Sequence, residues 1–196
     1  TFELIVTQSR IAIDRDDIFQ DKLFGRNMIA AQRWIWENDV VSKKLNDVQL
    51  IVNTAIDCGA YRAASDFGHT SPNSKLLLDI GFIGLLDRIN KYSDSDDLTR
   101  KQKEFYESCK IYIEAVLCFI KRLADAIEPY NRENSNALYN IANGKPSNIY
   151  EAMQLLVAYF FFHEYVGGTR VRTLGRLDVL LYPFYKKDLE KGTFTK

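Results

Sequence analysis

Two histidines, three cysteines and one Arg-Leu-Asp step are the side chains whose types and settings could do chemistry in this sequence. His69 follows Asp66 and Gly68 and precedes Thr70-Ser71-Pro72, a loop leading into a helix. There an imidazole could donate and accept hydrogen bonds near the positive pole of the helix. By the residues alone, packing on the surface or a bond to the loop backbone is the favoured role. His163 sits between Phe162 and Glu164 in an aromatic helix, where a structural histidine is expected. A helical His-Glu-x-x-His zinc site fails because Gly167 occupies the position of the second histidine. Arg176 and Asp178 flank Leu177 at a helix start. The carboxylate suits the helix dipole and capping there, and Arg176 can brace it in a bidentate pair, a structural motif rather than a catalytic one.

Cys58, Cys109 and Cys118 are odd in number and scattered, so they form no disulfide framework. Cys109 and Cys118 fall on opposite faces of one helix, about 180° apart at 3.6 residues per turn. Small buried hydrophobes in a reducing cytoplasm are the expected role. Gly144-Lys145 leads into Pro146 rather than Ser or Thr, so no phosphate loop forms. Gly81 and Gly84 lack the strand that a dinucleotide fold needs, and no Gly-x-Ser-x-Gly elbow occurs. These readings assign no catalytic residue, no metal ligand and no cofactor within the chain.

The elements that would position these groups are helices. Asp14-Arg15-Asp16-Asp17 offers caps before a short helix or turn. Helical spacing marks Asn27–Asn38 and Leu45–Ile56, the latter ended by Gly59. Thr70 or Ser71 caps the next helix, with Pro72 at its first position. Within that helix Gly81 and Gly84 each cost up to about 1 kcal/mol relative to Ala, so something should pack closely there. After the polar turn Ser93–Asp97, the longest helix runs from Leu98 to Ile127 and stops before Pro129. A shorter one covers Asn134–Asn143 and ends in the manner of a glycine-terminated helix at Gly144. Ser147 caps a helix reaching about Val166, whose run Tyr159–Phe162 covers every side and implies burial. The last helix begins near Arg176 or Leu177, carries Pro183 as a kink and closes at Gly192. Seven or so helices without a period-2 strand predict an all-α or predominantly α multi-helix assembly, a single region spanning residues 1–196.

The 196 residues are 46% apolar and 13% aromatic, enough to bury roughly 70% of the unfolded surface. Twenty-six basic and 26 acidic side chains cancel, which argues against nucleic acid or an anionic membrane as partner. The longest apolar run, Leu155–Phe162, is too short to span a bilayer. With no signal peptide and no initiating Met, Thr1 and Lys196 are expected to be cuts within a longer, cytoplasmic chain.

Three stretches, in order along nearly the whole sequence, resemble the pyruvate formate-lyase domain of glycyl radical enzymes. They are Ile11–Phe19; Asp66-Phe67-Gly68-His69-Thr70-Ser71-Pro72 with its Gly81/Gly84 helix; and Glu151-Ala152-Met153-Gln154 followed by Gly175-Arg176-Leu177-Asp178 and Tyr182-Pro183-Phe184-Tyr185. The resemblance implies the N-terminal helical part of a glycyl radical enzyme barrel, truncated at both ends, from anaerobic metabolism. It implies a complete enzyme that cleaves C–C, C–O or C–N bonds. There a glycyl radical, installed by a radical SAM activating enzyme, passes to a central cysteine whose thiyl form abstracts a substrate hydrogen. It implies a small-molecule substrate, the activase and a homodimeric arrangement as partners, and makes His69 the best candidate for substrate contact. Cys58, Cys109 and Cys118 do not match the central cysteine and no radical-glycine loop is present, so the isolated piece is expected to be inactive. Val179 stands where the family usually has Gln, and the link ahead of Pro146 is short. Pyruvate cleavage with transfer to coenzyme A, diol dehydration, and C–N or decarboxylating lyase chemistry stay open. The alternative is a non-enzymatic helical scaffold or interaction domain.

Overall fold

The structure, a computed structural model, describes residues 2–20, 22–23, 46–60, 72–166 and 173–193. The expected helix at 27–38 and the loop holding His69 lie outside the described residues. Seven α-helices appear among the described residues: α1 (Phe2–Gln8), α2 (Asn46–Asp57), α3 (Ser74–Ser93), α4 (Arg100–Ile127), α5 (Arg132–Asn143), α6 (Ile149–Phe160) and α7 (Leu177–Glu190). A π-helical segment, Phe161–Val166, continues α6. Two strands of two residues, β1 (Ile11–Ala12) and β2 (Lys22–Leu23), pair antiparallel with Ile11 opposite Leu23. The predominantly α class holds, with this short ladder added.

Helix α4 is the spine. Its start is a capping box, in which the Thr99 hydroxyl accepts from the Gln102 N–H and the Gln102 side chain accepts from the Thr99 N–H. Only its second half is deeply buried: Val116, Phe119, Ile120, Leu123 and Ile127 follow the three- and four-residue steps of one face. Phe105, which continues the same three- and four-residue spacing towards the start of the helix, is 62% exposed. Helices α1, α3 and α5 pack along this spine. On the core side, Phe119 stacks on Phe161 at 5.1 Å and meets Phe162 edge-on at 5.3 Å. The wider turn of the π segment accompanies the burial of these two successive rings.

Helix α3 bends where its sequence breaks the helical rule. Gly81 has φ 70° and ψ 179°, a conformation essentially closed to other residues. A Cβ there would lie 2.7 Å from the carbonyl oxygen of Gly144. The close packing expected from the glycine pattern is therefore backbone on backbone, between α3 and the turn after α5. The same bend leaves a Cβ at Gly84 only 2.7 Å from that of Ile80.

Several ends differ from the sequence reading. Helix α3 begins at Ser74 and is capped by Asn73, whose side chain accepts from the Leu76 N–H at 3.0 Å, so Pro72 stands outside it. Helix α6 is capped by Asn148 rather than Ser147. Asparagine caps as well as serine does, and in each case the cap lies nearer the helix. Gly144 follows α5 with φ −161°, extended backbone rather than a left-handed glycine terminus. Gly59 and Gly192 do close α2 and α7 with φ 74° and 70°. Helix α7 runs through Pro183. Cys58 and Cys118 are exposed, not buried, because Cys118 falls on the outer face of α4 and Cys58 follows the exposed helix α2.

Residues 9–20 form a strap across this body. The Asp14 carboxylate accepts from the Asp16 N–H at 3.1 Å and sets a turn. The Arg122 guanidinium donates to the carbonyls of Val6 and Ser9, taking up acceptors at the end of α1. Arg15 lies 4.1 Å above the Tyr130 ring.

Candidate functional site

Side chains of α5, α6 and α7 converge on the N-terminus of α6, with Glu151 of the sequence signature among them. Asn148 accepts from the Glu151 N–H at 2.8 Å. The Glu151 carboxylate turns back, accepting from the Asn140 amide at 2.8 Å and from the Ser147 N–H at 2.7 Å. Asp188, from α7, accepts from the Ile149 N–H at 2.7 Å, while Lys187 donates to the Ser147 carbonyl at 3.0 Å. Both carboxylates are buried. Burial of a charge is tolerated where N–H donors and the positive end of a helix face it. This joint fastens α5, α6 and α7 together around a polar cleft of about 390 Å³ lined by Asn136, Asn140, Asp188 and Lys191.

One turn further along α6, Gln154 ties down the strap. Its side-chain oxygen accepts from the Gln20 N–H at 3.1 Å and its amide donates to the Gln20 carbonyl at 3.0 Å. A fully buried side chain thus does what a neighbouring strand would do for one residue of backbone. The Gln20 side chain in turn donates to the carbonyls of Asp14 and Asp17. Asn134 and Tyr150 both donate to the Ile18 carbonyl, and Phe19 stacks on Tyr150 at 5.4 Å. Beside it lies an apolar cavity of about 380 Å³, walled by Phe19, Met153, Leu156, Phe160, Leu177 and Leu181.

The other candidates are set apart from this joint. Arg176 and Asp178 form the bidentate pair expected of them, at 2.9 and 2.6 Å, on the exposed start of α7. Arg176 holds the Asp178 carboxyl below the usual carboxylate range. Asp178 is not the cap: Arg176 occupies that position, and no side chain caps the helix. His163 is half-buried with its ring 4.3 Å from that of Tyr159. His69 lies outside the described residues.

Cys109 lines an apolar groove with Leu85, Ile89, Phe105 and Tyr112, and burial pushes its thiol pKa up. The exposed Cys58 donates to the Ala55 carbonyl. Among the described residues no cluster of His, Cys, Asp or Glu is arranged to hold a metal ion, and no helix is long and apolar enough to cross a membrane.

Sequence reasoning found Glu151 and Gln154 as signature residues but not what they hold. Glu151 three residues after Asn148 is a legible capping pattern. Gln20 and Asp188 carry no local signal, since their partners lie 134 and 39 residues away.

The fold is a predominantly α assembly whose helices are joined through the buried Glu151, Gln154 and Asp188. The chain belongs to the pyruvate formate lyase-like family, which matches residues 35–196. It is 25% identical over 145 residues to (2S)-3-sulfopropanediol dehydratase of Klebsiella oxytoca, covering 66% of this chain and 18% of that protein. With isethionate sulfite-lyase of Bilophila wadsworthia it shares 27% identity over 168 residues, 75% of this chain and 19% of the relative. The solved glycyl radical enzyme of Archaeoglobus fulgidus is similar in fold, with a TM-score of 0.65 at 20% identity, over 100% of this chain and 32% of that one. The family is the one that the sequence motifs resemble. The chain spans about a fifth of the length of these curated relatives, at 18% and 19%.

Proposed function

We propose that this chain is the helical N-terminal portion of a glycyl radical enzyme, and that it positions the reacting parts rather than carrying the radical. The observation that carries this reading is the family match over residues 35–196, combined with the use of its signature residues as joints. Each side-chain oxygen of Glu151 and each polar side-chain atom of Gln154 bonds a neutral group of the chain itself, as befits groups that set geometry. Apolar side chains left exposed on α2 (Val48, Leu50, Ile51) and α7 (Val179, Tyr182) support further protein packing against these helices.

In the complete enzyme, a thiyl radical on a cysteine outside residues 1–196 takes a hydrogen atom from a substrate carbon, forming S–H as C–H breaks. The substrate radical then expels its leaving group, and the product radical takes the hydrogen atom back from the cysteine S–H, which restores the thiyl radical. By likeness to a dehydratase and a sulfite-lyase, the substrate is a small polar molecule losing a group from the carbon next to the radical. His69, ahead of α3, contacts that substrate. A radical SAM activase installs the glycyl radical in a cytoplasmic, anaerobic setting, and the enzyme is a homodimer.

The test is anaerobic activation with a radical SAM activase, reductant and S-adenosylmethionine, read by electron paramagnetic resonance. The 196-residue polypeptide should give neither a glycyl radical signal nor turnover, and the full gene product should give both. A glycyl signal or turnover from the polypeptide alone would overturn the reading, as would a full gene product that gives neither. In the full enzyme, His69→Ala should raise KM at least tenfold while leaving the radical signal intact. An unchanged KM removes His69 from the substrate site.

A further inference from the structure

We draw no further inference here: the strongest candidate, the apolar groove between the C-terminal half of α3 and the N-terminal half of α4 that is rimmed by Tyr92 and Phe105, carries nothing because nothing in the structure shows what covers it.

Discussion

Replacing Gln154 by Leu removes both bonds that hold the strap at Gln20 while keeping the side chain's approximate volume. Gln154 is fully buried and Gln20 is 1% exposed, so the Gln20 N–H and C=O lose their partners without gaining water. A buried polar group left unsatisfied costs roughly 1–3 kcal/mol, which puts two of them at about 2–6 kcal/mol. Local lifting of the strap relieves part of this, and a net loss of about 3 kcal/mol is expected. In a chain of this size that lowers Tm by about 6–12 °C. Urea unfolding followed by circular dichroism reads the loss, and hydrogen exchange over residues 14–20 locates it. Gln154→Glu separates lost bonds from lost packing. Its carboxylate still accepts from the Gln20 N–H, but an ionised oxygen then faces the Gln20 carbonyl, whereas a protonated one donates to it. Burial raises the folded pKa above the unfolded value of about 4.3. The stabilisation is therefore fully present below that unfolded value and is lost as pH rises to and through the folded one. Gln154→Glu should match the parent near pH 4 and approach Gln154→Leu at pH 7. A loss under about 1 kcal/mol for Gln154→Leu, with exchange at 14–20 unchanged, would refute the account of the joint.

Gly81→Ala should cost about 3 kcal/mol or more, since it combines a forbidden backbone conformation with a Cβ 2.7 Å from the Gly144 oxygen. Gly59→Ala, at φ 74° with open space around it, should cost about 1 kcal/mol. Equal Tm losses in the two variants would remove the close approach as the cause. Burial, aided by Tyr159 at Tyr112 and by Glu133 at Tyr150, pushes both phenol pKa values up to about 12. Their contribution to stability is fully present below the unfolded pKa near 10 and is lost as pH rises through about 12. Absorbance titration of the folded protein should show Tyr112 and Tyr150 among the late-ionising phenols, and normal titration of all tyrosines while circular dichroism stays native would contradict it. The Asp178 pKa is lowered by Arg176, so any stability it adds is present above its unfolded pKa and lost as pH falls through the folded one. Because the pair is exposed, Arg176→Ala should leave Tm unchanged yet move the carboxyl titration seen by NMR upward. A fixed midpoint would show that the pair does not form in solution.

What could be read from the sequence was whatever depends on near neighbours along the chain. The body of α4, its stop before Pro129, and α2 with its closing Gly59 all follow from spacing and capping chemistry that act within a few residues. The misplaced caps at α3 and α6 arise where cap-forming residues stand in a row, as Ser147 and Asn148 do. Local preference does not rank such neighbours. The choice at α6 is made by Glu151, which takes the Ser147 N–H and leaves Asn148 to cap. The exposure of Phe105 has a related cause: helical spacing tells which face is apolar, but not where along α4 the partner helices stop. Gly81 was legible as a cost needing compensation, yet the compensating partner, the Gly144 carbonyl, is fixed by tertiary packing alone. The same reasoning separates the joint from the chemistry. Gln20, Gln154 and Asp188 act on groups far away in the chain, and their demand is for a matching donor or acceptor, which many sequences could meet at that distance. Of these three only Gln154 lies in the sequence signature, so the signature marks one side of the joint and not the group that it holds. The signature says nothing about the substrate, since the side-chain oxygens and nitrogen that Glu151 and Gln154 bring to the joint are bonded within the chain, and the Arg176–Asp178 pair, apart from the joint, is closed on itself.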